Sequence, residues 1–375
     1  MASIRISSMV GMTLASAAVV LTAVPAQAQY AQRYLFTTTT GGGATAGDQA
    51  MFLNDNGLVA GRYGFRSQSV SGKAKIWDAS GTGAPVLLWT EPSFYTPGGP
   101  IEGSMAVAIN NTAVLFPHMV EGVASREAVV NVWASGFNDQ GLVVGRKGSV
   151  AMWANSPVGA AQAITVEGNQ ALAPRDVNNA GQVVGSGTFG GQTQAFVYDT
   201  TASLGRQLFD STSGVMSSEV WDVNDAGVIL GKKVLASGAA SAFLYNLADG
   251  SFQDLPASSN GGSASSLQGG ALNNLGQIVF DNLFFDGQSW VDLRQANGLT
   301  GKVSGLDINN KGEILVSHYY YTGSYSMGGT PLSNSYKNDY LILTTVPEPA
   351  SVLSMGLGIT ALLIAVRRHR VRAAA

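Results

Sequence analysis

The sequence contains no cysteine, so neither a disulfide framework nor a thiolate centre is available. A fold built from it must hold together without such cross-links. Charge is scarce as well. Only 12% of the residues are Asp, Glu, Lys or Arg, with a net charge of -3, which offers no basic field for nucleic acid. Of three histidines, only His118 and His318 lie in the body of the chain, and neither adjoins a second His or a nucleophile motif. No G-x-S-x-G elbow occurs. The stretch Gly185 to Gly190 matches G-x-G-x-x-G, but Ala195 to Tyr198 after it reads as a strand. No helix N-terminus follows to hold a pyrophosphate. Helical periodicity is missing from the body. These absences point away from an enzyme and from a cofactor. A carboxylate pair of the glycosidase kind is singled out by nothing in the sequence.

Glycine, in contrast, is abundant: 47 residues against 12 prolines. Much of it recurs in a repeat. Leu53-Asn54-Asp55-Asn56-Gly57-Leu58-Val59 returns around Asn138 and Gly141, Asn178 and Gly181, Asn224 and Gly227, Asn273 and Gly276, and Asn309 and Gly312. A degenerate seventh copy, Asn110-Asn111-Thr112-Ala113, lacks the glycine. Asn at the first position caps a tight turn with its side chain, and Gly three residues on accepts a positive φ. Ala113 tolerates that conformation poorly, so a different turn is expected there. The β-branched and leucine-rich runs after each turn read as buried strands. A second strand follows downstream in each repeat, as in Lys75 to Asp78, Val150 to Trp153, Ala195 to Asp199 and Ala242 to Asn246.

Spacing selects the architecture. The steps between successive repeat asparagines are 56, 28, 40, 46, 49 and 36 residues, the range of a propeller blade of short strands and longer than a β-helix coil. The ends carry similar segments, Tyr34 to Thr38 and Tyr340 to Thr345. Each suits the aromatic strand's slot, and one terminal strand completing the other end's blade would remove open edges. The expectation is an all-β fold, a β-propeller of seven blades, with a β-solenoid as alternative. Alternation of an Ala-Phe-Leu-aromatic strand (Ala195 to Tyr198, Ala242 to Tyr245) with Asn-Asn/Asp-x-Gly resembles the extracellular HAF repeats, although Gln194 and Ser241 stand where that pattern has His.

Both ends of the chain read as export signals. Arg5, an apolar stretch from Met9 to Val24 and the small-x-small site Ala26-Gln27-Ala28 resemble a signal peptide over residues 1–28. Signal peptidase would then leave Gln29 as the mature N-terminus, with the repeat domain at 29–345. At the other end, Val346-Pro347-Glu348-Pro349 precedes an uncharged run, 350–366, and then Arg367, Arg368, Arg370 and Arg372. The run is long enough for a short transmembrane helix, and its basic flank would stay cytoplasmic. The layout of residues 346–375 resembles the PEP-CTERM tail handled by exosortase-type transpeptidases of Gram-negative bacteria. That resemblance implies transient anchoring in the inner membrane, then delivery to the cell surface or extracellular matrix.

Two ligand readings remain. Asp176-x-Asn178, Asp222-x-Asn224 and Asp307-x-Asn309 place oxygen donors near tight turns, as calcium loops do, but without the closing acidic residue. Turn capping is the simpler reading, and no metal is expected. Tyr319, Tyr321 and Tyr325 are candidate contacts for an extracellular polysaccharide, since Tyr rings offer apolar faces with polar tips. Three functions follow, in order: a structural or adhesive surface protein, a polysaccharide-binding module, and a secreted propeller hydrolase or lyase.

Overall fold

Each Asn-Asn/Asp-x-Gly turn joins two antiparallel strands, and these hairpins are the units of the fold. The computed structural model describes residues 29–346 except 42–43, 47, 64–72, 82–85, 91–107, 117–118, 123–125, 129–132, 158, 210–212, 256–268 and 323–335. They lie in one unit, Ala28–Pro347. In the fourth hairpin Val177 pairs with Val183 across the turn, and Gly181 has φ +77°. Gly57, Gly141, Gly227, Gly276 and Gly312 share this conformation, with φ between +74° and +86°. The glycine-free copy is tighter. Ile109 pairs with Val114, and Asn110 N–H bonds to Ala113 O at 3.0 Å.

The strands form six four-stranded sheets and one five-stranded sheet. The first runs through Asp48–Leu53, Leu58–Tyr63, Lys73–Asp78 and Val86–Thr90 in chain order. Five more four-stranded sheets repeat this meander up to Trp290–Asp292. The last begins with Lys302–Ile308 and Ile314–Tyr321, then the closing strand Tyr336–Val346. The amino-terminal strand Gln29–Gly41, here called the latch, pairs antiparallel with the closing strand from Gln29↔Val346 to Thr40↔Tyr336. Ala44–Ala46 completes the sheet beyond it. The expected seven blades are thus corrected to six four-stranded blades and a five-stranded closing sheet. The two terminal segments also do not fill equivalent slots. The closing strand takes the aromatic strand's place, and the latch lies outside it.

The core sits between neighbouring sheets. Val144, Trp153 and Leu142 of the third sheet pack against Leu172, Val183 and Phe196 of the fourth. Ala195 and Val184 of the fourth meet Val220, Ile229 and Phe243 of the fifth. Similar clusters join the fifth to the sixth, the sixth to the closing sheet, and the first to the second and the second to the third. Leu315, Tyr340 and Ile342 of the closing sheet meet Leu53, Val59 and Trp77 of the first. The ring is therefore closed, which makes the fold a β-propeller and overturns the open solenoid.

A bulge recurs in the innermost strands, between Ala50 and Phe52, Ala134 and Gly136, Pro174 and Asp176, Val220 and Asp222, and Gly305 and Asp307. Such bulges re-aim the residues beside them. Opposite one of them, a Cβ on Gly185 would lie 2.3 Å from Ala173 O, so only glycine lets the two backbones approach. The expected transmembrane segment 350–366 lies outside the described residues. Among those described, no helix is long and apolar enough to cross a membrane. The sole helix there is the single turn Leu293–Ala296, capped by Asp292, and no helical periodicity announced it.

The turn asparagines do more than cap. Asn178 Oδ1 accepts from Ala180 N and Gln182 N in its own turn, while its Nδ2 donates to Asn224 O in the next blade at 2.9 Å. Asn178→Asp keeps the acceptor but loses the donor. Urea denaturation should show a loss of about 2–4 kcal/mol, because a buried carboxylate then faces Asn224 O, which keeps only its Gly227 N–H, and Gln182 Oε1, which loses its donor. Replacing exposed Gln140 in the neighbouring turn should cost about 0.5 kcal/mol or less.

Candidate functional site

The bond made by Asn178 repeats around the whole channel mouth. Asn54 Nδ2 donates to Asn110 O, Asn110 to Asn138 O, Asn138 to Asn178 O, Asn178 to Asn224 O, Asn224 to Asn273 O, Asn273 to Asn309 O, and Asn309 back to Asn54 O. The seven distances run from 2.7 to 3.1 Å. All seven side chains are buried. Gln182, Gln277 and Glu313 accept the second Nδ2 proton of Asn178, Asn273 and Asn309.

A second ring is made by the next residue of each turn. Its backbone N–H donates to the side-chain oxygen of its counterpart in the next blade, in the order Asp55, Asn111, Asp139, Asn179, Asp225, Asn274, Asn310 and back to Asp55. Asp and Asn alternate, so that Asn Nδ2 groups bridge the carboxylates, as Asn179 does between Asp139 and Asp225. A seven-membered ring cannot alternate throughout. The one like pair is Asn274–Asn310, which avoids setting two carboxylates side by side.

Two residues before three of the turns, aspartates continue the clasp. Asp176 accepts from Val223 N, Asp222 from Leu272 N at 2.8 Å, and Asp307 from Leu53 N at 2.7 Å, each in the next blade. Burial raises the Asp176 carboxyl well above the usual range, and the Asp222 charge and hydrogen bond raise it further. Burial pushes Asp307 up to about 7, opposed by the Leu53 N–H and assisted by the Asp222 charge. The channel mouth, about 720 Å³, is lined by these layers. The Asp176, Asp222 and Asp307 side chains considered as calcium-loop donors each accept a backbone N–H of a neighbouring blade. Among the described residues, no group of three or more His, Cys, Asp or Glu is placed to hold a metal.

The tyrosines lie elsewhere, on the closing sheet. Tyr319 and Tyr321 share one face of their strand, with Tyr321 paired to Tyr336. Tyr319 stacks on Tyr336 with ring centroids 5.3 Å apart and planes 3° from parallel, while Tyr321 meets Tyr336 edge-on. Tyr319 is 37% exposed. Tyr336 was missed because it lies across the segment 323–335. Tyr325 falls in that segment, outside the described residues. His318 is buried, stacked on Tyr320, and bonded to Thr300 O. The segment from Gly185 sits in the strand Gln182–Phe189 and leads into the strand Gln192–Asp199. His118, Ala26, Ala28, Pro347, Glu348, Pro349 and the arginines 367, 368, 370 and 372 lie outside the described residues. Val346 is described, as the last residue of the closing strand.

Residues 345–370 match the PEP-CTERM protein-sorting motif, which indicates an exported protein sorted to the cell envelope or surface. No curated protein sequence matches the chain. Several solved structures are similar in shape. TolB from Acinetobacter baumannii is 11% identical with a TM-score of 0.42, over 76% of this chain and 63% of that one. This chain thus covers less than two thirds of that protein's length. An oligogalacturonate lyase in complex with manganese is 13% identical with a TM-score of 0.47, over 86% and 99% of the two chains. A chain of a mitotic checkpoint complex is 8% identical with a TM-score of 0.47, over 93% and 99%. Likenesses this distant carry no argument about the chemistry of this chain.

The raised carboxyl of Asp307 gives a signed pH dependence. Its unfolded value is about 3.9 and its folded value about 7, so between these the folded state binds more protons than the unfolded one. Its stabilising contribution is complete below about pH 4 and is lost as pH rises through about 7. Chemical denaturation over that window should show stability falling with pH, with Asp176 acting in the same direction. Asp307→Asn should flatten the slope; an unchanged slope would contradict the assignment.

Proposed function

We propose that the protein is a structural or adhesive component of the cell surface or extracellular matrix. In this reading a signal peptide is removed after Ala28, an exosortase-type transpeptidase processes the tail, and the propeller is the delivered cargo. The observation that carries it is the position of the PEP-CTERM match, whose residues 345–370 begin within the last strand of the ring. A self-contained body directly followed by a sorting motif suits delivery of a finished domain. The repeats are read as HAF-like within this proposal. No catalytic step is part of it, since the polar groups of the channel are used in joining blades.

A polysaccharide-binding role is the second reading, and the tyrosine face favours it. The Tyr319–Tyr336 stack with Tyr321 at its edge presents aromatic surface of the kind that packs on sugar rings. In either reading the body should fold without the tail. Removing Pro347 onward, so that Val346 stays in its ladder, should give a folded protein released in soluble form, measured by fractionation and a thermal melt. A truncated body that fails to fold would sink the delivery reading. Replacing Tyr319 and Tyr321 by Ala should reduce retention in native extracellular polysaccharide several-fold; unchanged retention would remove the binding reading.

A further inference from the structure

The ladder at the end of the closing strand is lopsided. The strand Ile314–Tyr321 pairs with the closing strand only from Tyr336 as far as Leu343. Beyond that point Thr344, Thr345 and Val346 pair with Ala31, Tyr30 and Gln29 of the latch alone. The sorting match begins at residue 345, so its first two residues are held in the propeller by the amino-terminal strand only. Pro347 follows. It has no N–H to continue a ladder, so the end of the paired strand coincides with the Pro-Glu-Pro signature.

The latch end is itself anchored. Tyr30 is buried and meets Phe284 of the sixth sheet edge-on, with centroids 6.2 Å apart. Arg33 donates to Gly81 O at 2.8 Å and faces Glu313 of the closing sheet's turn at 3.4 Å. Gln32 Nε2 donates to Asn297 O at 3.1 Å. The first residues of the latch are therefore tied to the first, sixth and closing sheets.

Processing enzymes generally take their peptide as an extended strand, adding it to their own edge by main-chain hydrogen bonds. A segment already paired in a ladder is withheld from that. We propose that the latch sets where the tail can be cut. By pairing with Thr344 to Val346 it shelters the residues ahead of Pro347 and confines cleavage to the bond after Val346 or beyond. The amino terminus thus positions the processing of the carboxyl terminus. The proposal rests on the reading of residues 345–370 as a processed sorting tail, but the sheltering itself does not.

The test uses the full chain with Ala31→Pro and, separately, Gln32→Pro. Both side chains are exposed, and neighbouring strand positions direct their N–H groups to opposite sides, so one of the two removes a donor to the closing strand. Tyr30→Ala, which leaves the backbone intact and removes the anchor, serves if the proline chains do not fold. Two readouts are taken. The first is the C-terminal mass of the mature protein from cells. The second is trimming of the purified full chain by a broad-specificity protease. The wild type should end at or beyond Val346 in both. The variants should yield additional ends between Leu343 and Val346, with trimming on the order of tenfold faster for about one lost bond. Identical ends and rates in all chains would overturn the proposal. If the wild-type tail is never removed in cells, the sorting reading fails on its own, and the trimming assay still decides the sheltering.

Discussion

The amide of one asparagine per sheet is the constraint on which the ring depends. A single side chain closes its own turn through Oδ1 and ties the next blade through Nδ2, and seven such residues complete a circuit from Asn54 back to Asn54. A typical hydrogen bond contributes about 1 kcal/mol net, while a buried group left without its partner costs about 1–3 kcal/mol. The circuit therefore contributes through each bond it adds, since six of the seven acceptor carbonyls also take the N–H of their own turn's glycine. In a chain with no cysteine, it and the apolar clusters between sheets are what hold adjacent blades in register.

This arrangement uses the aspartates of the channel mouth to join neighbouring blades. The second ring engages Asp55, Asp139 and Asp225, and the third layer engages Asp176, Asp222 and Asp307. In many folds a channel lined by carboxylates would be the first place to seek a catalytic pair. Here each carboxylate accepts a backbone N–H of a neighbouring blade or is bridged by an amide. A surface suited to recognition lies on the closing sheet, where the tyrosine face spans the strands Ile314–Tyr321 and Tyr336–Val346 and the sorting motif begins at the end of the second.

Much of the fold was legible in the sequence because its repeat is local. The positive-φ glycines, the buried run after each turn and the downstream strand all follow from spacing within about two dozen residues. The likeness of Tyr34–Thr38 to Tyr340–Thr345 disclosed closure, but not that the latch would take an outer position, because both segments suit a buried strand equally. The cross-blade amide was missed although it left a mark. Capping alone would allow Asp or Ser, yet the first turn position is Asn in all seven copies while the second varies between Asn and Asp. That restriction demands a donor as well as an acceptor. The raised carboxyls of Asp176 and Asp307 had no such mark, since they arise from burial, and Tyr336 is distant in sequence from the tyrosines it meets.

The most direct test of the ring is a double-mutant cycle between Asn54 and Asn178, which lie three blades apart and share no partner. Sites so separated normally contribute independently, within about 0.3–0.5 kcal/mol. If the seven amides act as one closed circuit, opening it at Asn54→Asp should make Asn178→Asp cost clearly less than it does in the intact ring, by more than about 0.5 kcal/mol. Additive losses would mean that the seven bonds are independent and that the circuit has no standing as a unit.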